Sequence, residues 1–291
     1  MNDNGHIAMY QGKAGSGSVQ CLLCPHYCVL SENSAGKCGT RTNRQNSLIS
    51  SGYGSISSIA LDPIEKKPLY MFHPGSQILS IGGYGCNLTC PFCQNHEISM
   101  SRDVDMVQRS TRVTPDAILS YAEQTIPAGN IGVAYTYNEP FINFEFLLDC
   151  AELVRGAGLK NIVVTNGFIN TEPLAEALPL IDAMNIDLKG FTEDFYRGLS
   201  GKLAPVMDAI TLAHKRCHIE ITTLVVPGEN EDDVAELAKW LSSLSPDIPL
   251  HLTRFFPRYM YTGKMATSRE TIYRLQETAK RSLNYVFAGN M

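Results

Sequence analysis

From Gln77 onward, short apolar runs alternate with longer segments whose apolar residues recur at helical spacing. In Phe141–Gly156, for example, Phe141, Phe144 and Leu148 fall on one helix face. The pattern predicts strands at Ile78–Gly82, Ile131–Tyr135, Asn161–Thr165, Ala183–Leu188, His218–Val226 and Leu250–Phe255, with a short last strand at Tyr285–Ala288. It predicts helices at Pro115–Gln124, Phe141–Gly156, Glu172–Leu178, Ala204–Lys215, Glu231–Leu244 and Ser268–Ser282.

Strands that alternate with helices predict an α/β fold with a parallel sheet. Six such units favour an open, partial (β/α)6 TIM-like barrel over a closed eightfold barrel, and residues 77–291 would form this core. A doubly wound sheet stays open as an alternative, because periodicity does not separate the two. No Gly-x-Gly-x-x-Gly or phosphate-loop sequence follows a strand, which argues against nucleotide-dependent dehydrogenases and ATPases.

The residues before Gln77 follow a different pattern. Residues 1–19 are rich in Gly and Ser, which predicts a flexible tail. Residues 20–76 predict a small cysteine-rich, metal-binding appendage followed by a connector. Because the appendage has too few apolar residues to bury a core, a metal would have to hold it together. Prolines 63, 68 and 74 argue against regular structure in the connector.

Composition narrows the classes of protein. The chain has 291 residues, of which 44% are hydrophobic and 18% charged, which predicts a folded core. A net charge of −5 gives no electrostatic case for binding nucleic acid. No apolar run approaches the roughly 20 residues of a membrane helix, and the N-terminus lacks a signal-peptide layout. We therefore expect a soluble, cytoplasmic protein.

Polar side chains follow each of the six predicted strands. These clusters are Cys86–Asn95, Tyr137–Pro140, Thr165–Gly167, Asp187–Lys189, Pro227–Asn230 and Arg254–Tyr259. Because chemistry in parallel α/β folds occurs at the carboxyl ends of the strands, we expect all six clusters to meet at one mouth.

Cys86, Cys90 and Cys93 form a metal site that is one ligand short. An ordinary iron–sulfur cluster takes four cysteines and a structural zinc takes four ligands. Three thiolates on a four-iron cluster would leave one iron open to another molecule, as a reactive site needs. The alternative is a zinc site completed by His96.

A second group, Cys21, Cys24, Cys28 and Cys38, is a complete ligand set. Its spacing suits a structural zinc or an auxiliary [4Fe–4S] cluster, and His26 could replace one cysteine. Disulfides and free thiols are the alternatives, although clustered cysteines without a signal peptide favour metal. The remaining two cysteines, Cys150 and Cys217, are predicted to be inert core residues.

The run from Cys86 to Cys93, with Phe92 before the third cysteine, resembles the radical S-adenosylmethionine (SAM) signature Cys-x3-Cys-x-aromatic-Cys. That resemblance implies a [4Fe–4S] cluster whose open iron binds SAM. It also implies reductive cleavage of SAM to methionine and a 5′-deoxyadenosyl radical, which abstracts hydrogen from a substrate not identified by the sequence.

Further motifs narrow the resemblance. Cys93–Asn95, Asp187–Lys189 and Leu224–Gly228 resemble the pyruvate formate-lyase activating enzymes. Over about residues 20–290 the chain also resembles one subgroup of these enzymes, the AmmeMemoRadiSam system radical SAM enzymes. The motifs that carry this resemblance are Cys21–Cys28, Asp62–Tyr70, Ala134–Pro140 and Asn185–Gly190. The implied partners are an electron donor such as flavodoxin or ferredoxin, a small-molecule or protein substrate, and a Memo-like protein.

The same resemblance implies cofactor contacts. Their residues are Phe92, Asn95, Asn138, Glu139, Thr165, Asn166, Asp187, Lys189 and Arg254, with Tyr259 as a further candidate. Glu139 would receive the SAM ammonium group and Lys189 the carboxylate, and Asp187 would bind a hydroxyl or a monovalent cation. The alternatives are purely local: Asn138–Pro140 begins a helix with Asn138 as its cap, Asp187 pairs with Lys189, and Arg254 lies on an exposed loop.

Three other functions are alternatives to a hydrogen-abstracting enzyme. Within the same chemistry, the chain could be an activase that forms a glycyl radical on a partner protein. A non-catalytic iron–sulfur or zinc electron carrier would use both cysteine groups but would not need six decorated strand ends. A zinc hydrolase is disfavoured, because the chain has only seven His.

Overall fold

The structure is a computed structural model that describes residues 5–15, 17–100 and 111–291. Its strands are β1 (His6–Ile7), β2 (Gln11–Lys13), β3 (Val19–Cys21), β4 (Val29–Leu30), β5 (Arg41–Arg44), β6 (Ser47–Ser50), β7 (Ser55–Ile56), β8 (Ser58–Pro63), β9 (Gln77–Gly82), β10 (Thr111–Arg112), β11 (Asn130–Tyr135), β12 (Lys160–Thr165), β13 (Ala183–Asp187), β14 (His218–Val225), β15 (Leu250–Arg254) and β16 (Val286–Gly289). Its α-helices are α1 (His96–Ser99), α2 (Pro115–Gln124), α3 (Phe144–Gly156), α4 (Thr171–Ala177), α5 (Glu193–Gly198), α6 (Leu203–His214), α7 (Val234–Leu244) and α8 (Arg269–Ala279). Single 3-10 turns lie at Ile64–Lys66, Ile126–Ala128, Pro140–Asn143, Leu178–Leu180 and Tyr259–Tyr261.

The main sheet has the order β16-β15-β14-β13-β12-β11-β9-β8. Every neighbouring pair from β9 to β16 is parallel, which confirms the predicted α/β fold with a parallel sheet. From β9 onward the strands follow chain order without a reversal. A doubly wound sheet reverses its order near the middle, so the barrel-like alternative is correct.

The predicted helices and strands of residues 77–291 agree with the structure to within a few residues. The predicted helix Phe141–Gly156 starts as the 3-10 turn Pro140–Asn143 and becomes α3 at Phe144. The short helix α5 was not predicted, because its six residues are too few to show helical periodicity. Its start is set by Thr192, whose side chain accepts a hydrogen bond from the Phe195 amide.

The prediction that the connector has no regular structure is wrong for Ser58–Pro63. This segment forms β8, which pairs antiparallel with β9 at the edge of the main sheet. Pro63 is the last residue of β8, where a missing N–H group is tolerated. The main sheet therefore takes in residues that precede Gln77.

The rest of the connector crosses one face of the main sheet. Ile64 and Leu69 are fully buried and pack in one cluster with Ile78 of β9 and Ala134 of β11. Behind them, the buried Glu220 carboxylate accepts hydrogen bonds from the Tyr70 and Met71 amides at 3.0 and 2.8 Å. The connector is thus fixed to the barrel by both apolar contacts and hydrogen bonds.

Residues 5–50 form two three-stranded antiparallel sheets, β1-β6-β5 and β2-β3-β4. The predicted tail contributes β1 and β2 to them, and its residues 1–4 and 16 lie outside the described residues. Val19, Leu23 and Leu48 belong to the same apolar cluster as the barrel core. These sheets therefore pack directly on the barrel.

No helix among the described residues is long and apolar enough to span a membrane.

Candidate active site

A cavity of about 350 Å³ lies at the carboxyl edge of the parallel strands. Four of the six predicted polar clusters contribute to it, together with the connector. The lining residues are Lys66, Lys67, Pro68, Cys86, Leu88, Cys90, Phe92, Cys93, Gln94, Asn95, Ser99, Met100, Thr136, Tyr137, Asn138, Glu139, Val164, Thr165, Asn166, Asp187, Lys189, Thr222, Leu224, Thr253 and Asn290. Most of the predicted site residues therefore face one space.

The three cysteines are carried by the loop after β9. Gly85 has a φ of +81°, and a Cβ there would lie 2.3 Å from the Cys38 carbonyl oxygen, so only glycine fits before Cys86. Burial raises the pKa of the Cys90 thiol to about 12, although the nearby Lys189 ammonium opposes this. Thiolates in such a dry site need a strong positive partner, which a metal centre supplies.

The donor chemistry of this loop fits an iron–sulfur cluster, because three thiols and no oxygen ligand come from one short segment. Among the described side chains, no group of three Cys, His, Asp or Glu is already placed around a single metal ion. His96, the fourth ligand of the zinc alternative, stacks its ring on Tyr259 with centroids 4.6 Å apart and is not among the lining residues. The structure thus gives the zinc alternative no support.

Glu139 makes three hydrogen bonds within the cavity wall. Its carboxylate accepts hydrogen bonds from the Phe141 amide at 3.1 Å, the Thr165 hydroxyl at 2.7 Å and the Asn166 amide at 2.8 Å. Burial nevertheless raises its pKa to about 7, against these three donors and Lys189. A cation beside this carboxylate would restore its charged form.

Asn138 does not cap the following turn as the local alternative predicts. The cap is Glu139, whose side chain accepts from the Phe141 amide. The Asn138 side chain instead accepts from the Gly83 amide at 3.0 Å and donates to the Gly85 carbonyl at 3.1 Å. Asn95 donates to the Tyr137 carbonyl at 2.7 Å. Both amides therefore join the cysteine loop to the segment after β11.

Asn166 faces the first cysteine. Its side-chain amide donates to the Cys86 sulfur at 3.6 Å and to the Asn87 side-chain oxygen at 2.9 Å. The Leu88 backbone amide donates to the same sulfur at 3.4 Å. Hydrogen bonds to ligand sulfurs stabilise the reduced cluster and tune its potential.

Asp187 and Lys189 form a close ion pair at the end of β13, as the local alternative predicts, and both also line the cavity. The second carboxylate oxygen of Asp187, Oδ1, is buried and has no hydrogen-bond partner among the described residues. Burial lowers the pKa of Lys189, but the charges of Asp187 and Cys90 raise it above its ordinary value. This pair presents one free acceptor and one firmly charged ammonium.

Arg254 and Tyr259 are not among the lining residues. The Arg254 side chain donates to the Thr267 carbonyl at 2.8 Å and lies over the Phe256 ring at 4.8 Å. Phe92, by contrast, is buried at the cavity wall. Arg254 is the half-buried last residue of β15, not part of an exposed loop as the local alternative predicts, and its side chain is engaged outside the cavity lining.

The side chains that the connector brings to the cavity were not predicted from the sequence. Lys66, Lys67 and Pro68 line it, and Asp62 lies against both lysines. Tyr137 also lines the cavity and bonds to Asp62 through its hydroxyl at 2.7 Å. The signal was present in the motif Asp62–Tyr70, which carries two acids, Asp62 and Glu65, and two lysines.

The N-terminal cysteines lie within electrostatic reach of one another. Burial is the main cause that raises the pKa of Cys21 to about 11 and that of Cys24 to about 12, and the nearby Cys28 and Cys38 contribute to the rise. The ring nitrogen Nε2 of His26, which lies between Cys24 and Cys28 in sequence, bonds to the carbonyl of Asn87, next to Cys86, at 2.7 Å. This contact links the N-terminal cysteine segment to the loop that carries Cys86.

Comparisons with known proteins agree with this geometry. The model of the radical SAM superfamily matches residues 80–241. An uncharacterised protein of Methanocaldococcus jannaschii is 38% identical over 290 residues, which cover 98% of this chain and 85% of that protein. A pyruvate formate-lyase-activating enzyme of Listeria monocytogenes is 26% identical over 170 residues, covering 55% of this chain and 67% of its own. The crystal structure of Streptococcus suis SuiB bound to S-adenosylmethionine shares the fold with a TM-score of 0.54 at 17% identity, over 72% of this chain and 48% of that one.

A parallel α/β sheet with a three-cysteine loop at its carboxyl edge defines an iron–sulfur enzyme that uses SAM. The chain belongs to the radical SAM superfamily. Within that superfamily it is similar to the pyruvate formate-lyase activating enzymes, which confirms the expected relationship. Membership implies a [4Fe–4S] cluster and SAM as cofactors, and the alternative of a non-catalytic electron carrier has no support.

Proposed function

We propose that this enzyme reductively cleaves SAM and abstracts hydrogen from an acceptor substrate. The observation that carries this proposal is the meeting of Cys86, Cys90 and Cys93 with the buried Glu139 and the Asp187–Lys189 pair in one cavity. When bound, the cluster and SAM supply the electron and the 5′-deoxyadenosyl radical.

The polar residues of the wall suit the charged ends of SAM. The Glu139 carboxylate would receive the ammonium group, because it is buried in the cavity wall, where a neighbouring cation would offset the burial that raises its pKa. The Lys189 ammonium would bind the SAM carboxylate. The unpartnered Oδ1 of Asp187 would accept a ribose hydroxyl or bind a monovalent cation. Phe92 would supply an apolar wall.

Asn95, Asn138, Thr165 and Asn166 would position these groups. Asn95 and Asn138 fix the cysteine loop, Thr165 holds Glu139, and Asn166 donates to the Cys86 sulfur. Because these donors are engaged with protein atoms, contacts from them to SAM would use the remaining lone pairs or backbone groups.

A second metal centre at Cys21, Cys24, Cys28 and Cys38 is part of the proposal. It is supported by the spacing of the four cysteines, which suits zinc or a [4Fe–4S] cluster. Through the contact of His26 with Asn87, this centre would stabilise the position of the loop that carries Cys86, Cys90 and Cys93.

We propose a cytoplasmic location, with flavodoxin or ferredoxin as electron donor and a Memo-like protein as partner. A second candidate function, formation of a glycyl radical on a partner protein, is favoured by the similarity to the Listeria activating enzyme. A glycyl-radical EPR signal on a co-purified partner would support it.

Anaerobic reconstitution with iron and sulfide, followed by dithionite and SAM, tests the main proposal. We expect 5′-deoxyadenosine by mass spectrometry from the unaltered protein and none from Cys90→Ala, which also loses the iron of that loop. Cys217→Ala is the matched control, because Cys217 is a thiol outside the cavity lining. A protein with a full cluster that forms no 5′-deoxyadenosine would contradict the proposal.

A further inference from the structure

The connector lines part of the same cavity as the positions that the proposed function gives to SAM. We call Asp62, Lys66, Lys67, Pro68 and Tyr137 the cavity floor. Lys66, Lys67 and Pro68 line the same space as the three cysteines. None of these residues is accounted for by the proposed SAM contacts.

The cavity floor is rigid. The Pro68 carbonyl accepts a hydrogen bond from the Asn185 side chain at 2.9 Å, on β13. Just beyond it, Leu69 is fully buried and the Tyr70 amide is held by Glu220. Lysines on such a segment keep a fixed position, as a binding site requires.

The cavity floor carries a net positive charge. Asp62 accepts from Lys66 at 3.0 Å, from Lys67 at 2.9 Å and from the Tyr137 hydroxyl at 2.7 Å. Two ammonium groups thus share one carboxylate. The Lys67 side chain is only 3% exposed, whereas that of Lys66 is 66% exposed. The buried Lys67 is neutralised by Asp62, so the surplus positive charge lies on the more exposed Lys66, where a second anion can pair with it.

The other charged residues of the lining do not neutralise the floor. Asp187 is paired with Lys189, and Glu139 is held by Thr165 and Asn166 next to Cys86. One positive charge is therefore left on the floor side of the cavity.

Tyr137 shows that the floor is a specifically built feature. Its φ of 71° lies in the left-handed region, which a tyrosine rarely adopts. A Cβ at Gly82 would lie 2.9 Å from the Tyr137 Cβ, so the glycine makes room for the ring. The ring lies 4.7 Å from the Lys67 ammonium and its hydroxyl fixes Asp62. Backbone strain of this kind is typical of functional sites.

We propose that the cavity floor binds the anionic group, a carboxylate or a phosphate, of a small-molecule substrate. This inference rests on the proposed function and adds a substrate class to it. Lys66 supplies the exposed ammonium, and Lys67, Asp62 and Tyr137 hold the site in shape.

Isothermal titration calorimetry at constant ionic strength tests the site. Malonate or inorganic phosphate is titrated into the reconstituted enzyme, to which SAM has already been added. We expect at least one of the two anions to bind saturably. The anion that binds shows whether the site takes a carboxylate or a phosphate. Lys66→Ala should weaken it roughly tenfold, as expected for loss of one charged hydrogen-bond donor. Lys239→Ala, which removes an exposed lysine on α7, is the matched control and should leave binding unchanged.

Lysine acetylation provides a second readout that does not depend on a variant. A bound anion should slow acetylation of Lys66, measured by mass spectrometry, and leave Lys239 unaffected. Failure of both anions to bind, or equal affinity of Lys66→Ala and the unaltered protein, would overturn the inference. The 5′-deoxyadenosine assay on the same preparation reports separately on the proposed function.

Discussion

At the scale of single residues, Glu139 combines a structural and a chemical role. It caps the turn Pro140–Asn143 and joins the end of β11 to the end of β12 through Thr165 and Asn166. The motif Asn138–Pro140 predicts a helix start or a SAM contact, and the structure shows Glu139 as the cap of the turn and as a residue of the cavity lining. Thr165 lies 26 residues away in sequence, so no local pattern could reveal this network.

The raised pKa of Glu139 has a consequence for stability. Its ordinary pKa is 4.5 and its folded-state pKa is about 7, so between these values the folded protein binds more protons than the unfolded chain. Folding is therefore favoured at low pH, and this contribution is lost as pH rises from 4.5 to 7. We expect the loss to be about 3 kcal/mol in metal-free protein.

Urea unfolding at several pH values measures this effect as the difference between the unaltered protein and Glu139→Gln. Other titrating groups are present in both proteins and cancel. The free energy of unfolding of the unaltered protein should fall relative to that of Glu139→Gln across this range. Glu236→Gln, at an exposed position of α7, should show no such trend. A difference that does not change with pH would refute the assigned burial effect.

At the scale of elements, the apolar pattern predicts the barrel because each helix buries one face and each parallel strand is buried on both, which gives helical spacing in the helices and short apolar runs in the strands. The apolar pattern does not predict the structure of the connector. Its prolines suggest irregular chain, yet Ser58–Pro63 adds an edge strand to the sheet and Lys66–Pro68 line the cavity. Its path is fixed by pairing with β9 and by partners far along the sequence such as Asn185 and Glu220, so a local pattern cannot supply it.

The N-terminal sheets have a testable dependence on metal. Their loops between Cys21 and Cys38 bury few side chains, so a bound metal should hold them in place. We expect the double variant Cys21→Ala/Cys24→Ala to lose either one zinc or about four irons per chain, as measured by elemental analysis.

The two outcomes distinguish a structural zinc from an auxiliary cluster. Cys150→Ala/Cys217→Ala removes two thiols outside both groups and should leave the metal content unchanged. Equal metal content in the double variant and the unaltered protein would show that these cysteines hold no metal.

At the scale of the whole molecule, the N-terminal sheets and the barrel share one apolar core and a buried ion pair. The Arg41 guanidinium on β5 bonds to both carboxylate oxygens of Glu145 on α3, at 2.8 and 2.9 Å. Their side chains are 1% and 2% exposed. Arg41 also donates to the Met9 carbonyl at 3.2 Å, which ties in the residues between β1 and β2. We therefore expect the two parts to unfold together.

Arg41→Ala should lower the free energy of unfolding by about 3–5 kcal/mol, because it leaves the Glu145 carboxylate buried without its partner. Trp240, the single tryptophan, lies on α7 of the barrel, far in sequence from Arg41. If the parts unfold as one unit, its fluorescence midpoint in urea must shift together with the far-ultraviolet circular dichroism. Arg197→Ala breaks an ion pair whose side chains are 75% and 85% exposed, so this control should cost less than about 1 kcal/mol. A Trp240 transition that Arg41→Ala leaves unmoved would mean that the N-terminal sheets unfold independently, and the cysteine loop that contacts them could then lose its support while the barrel stays folded.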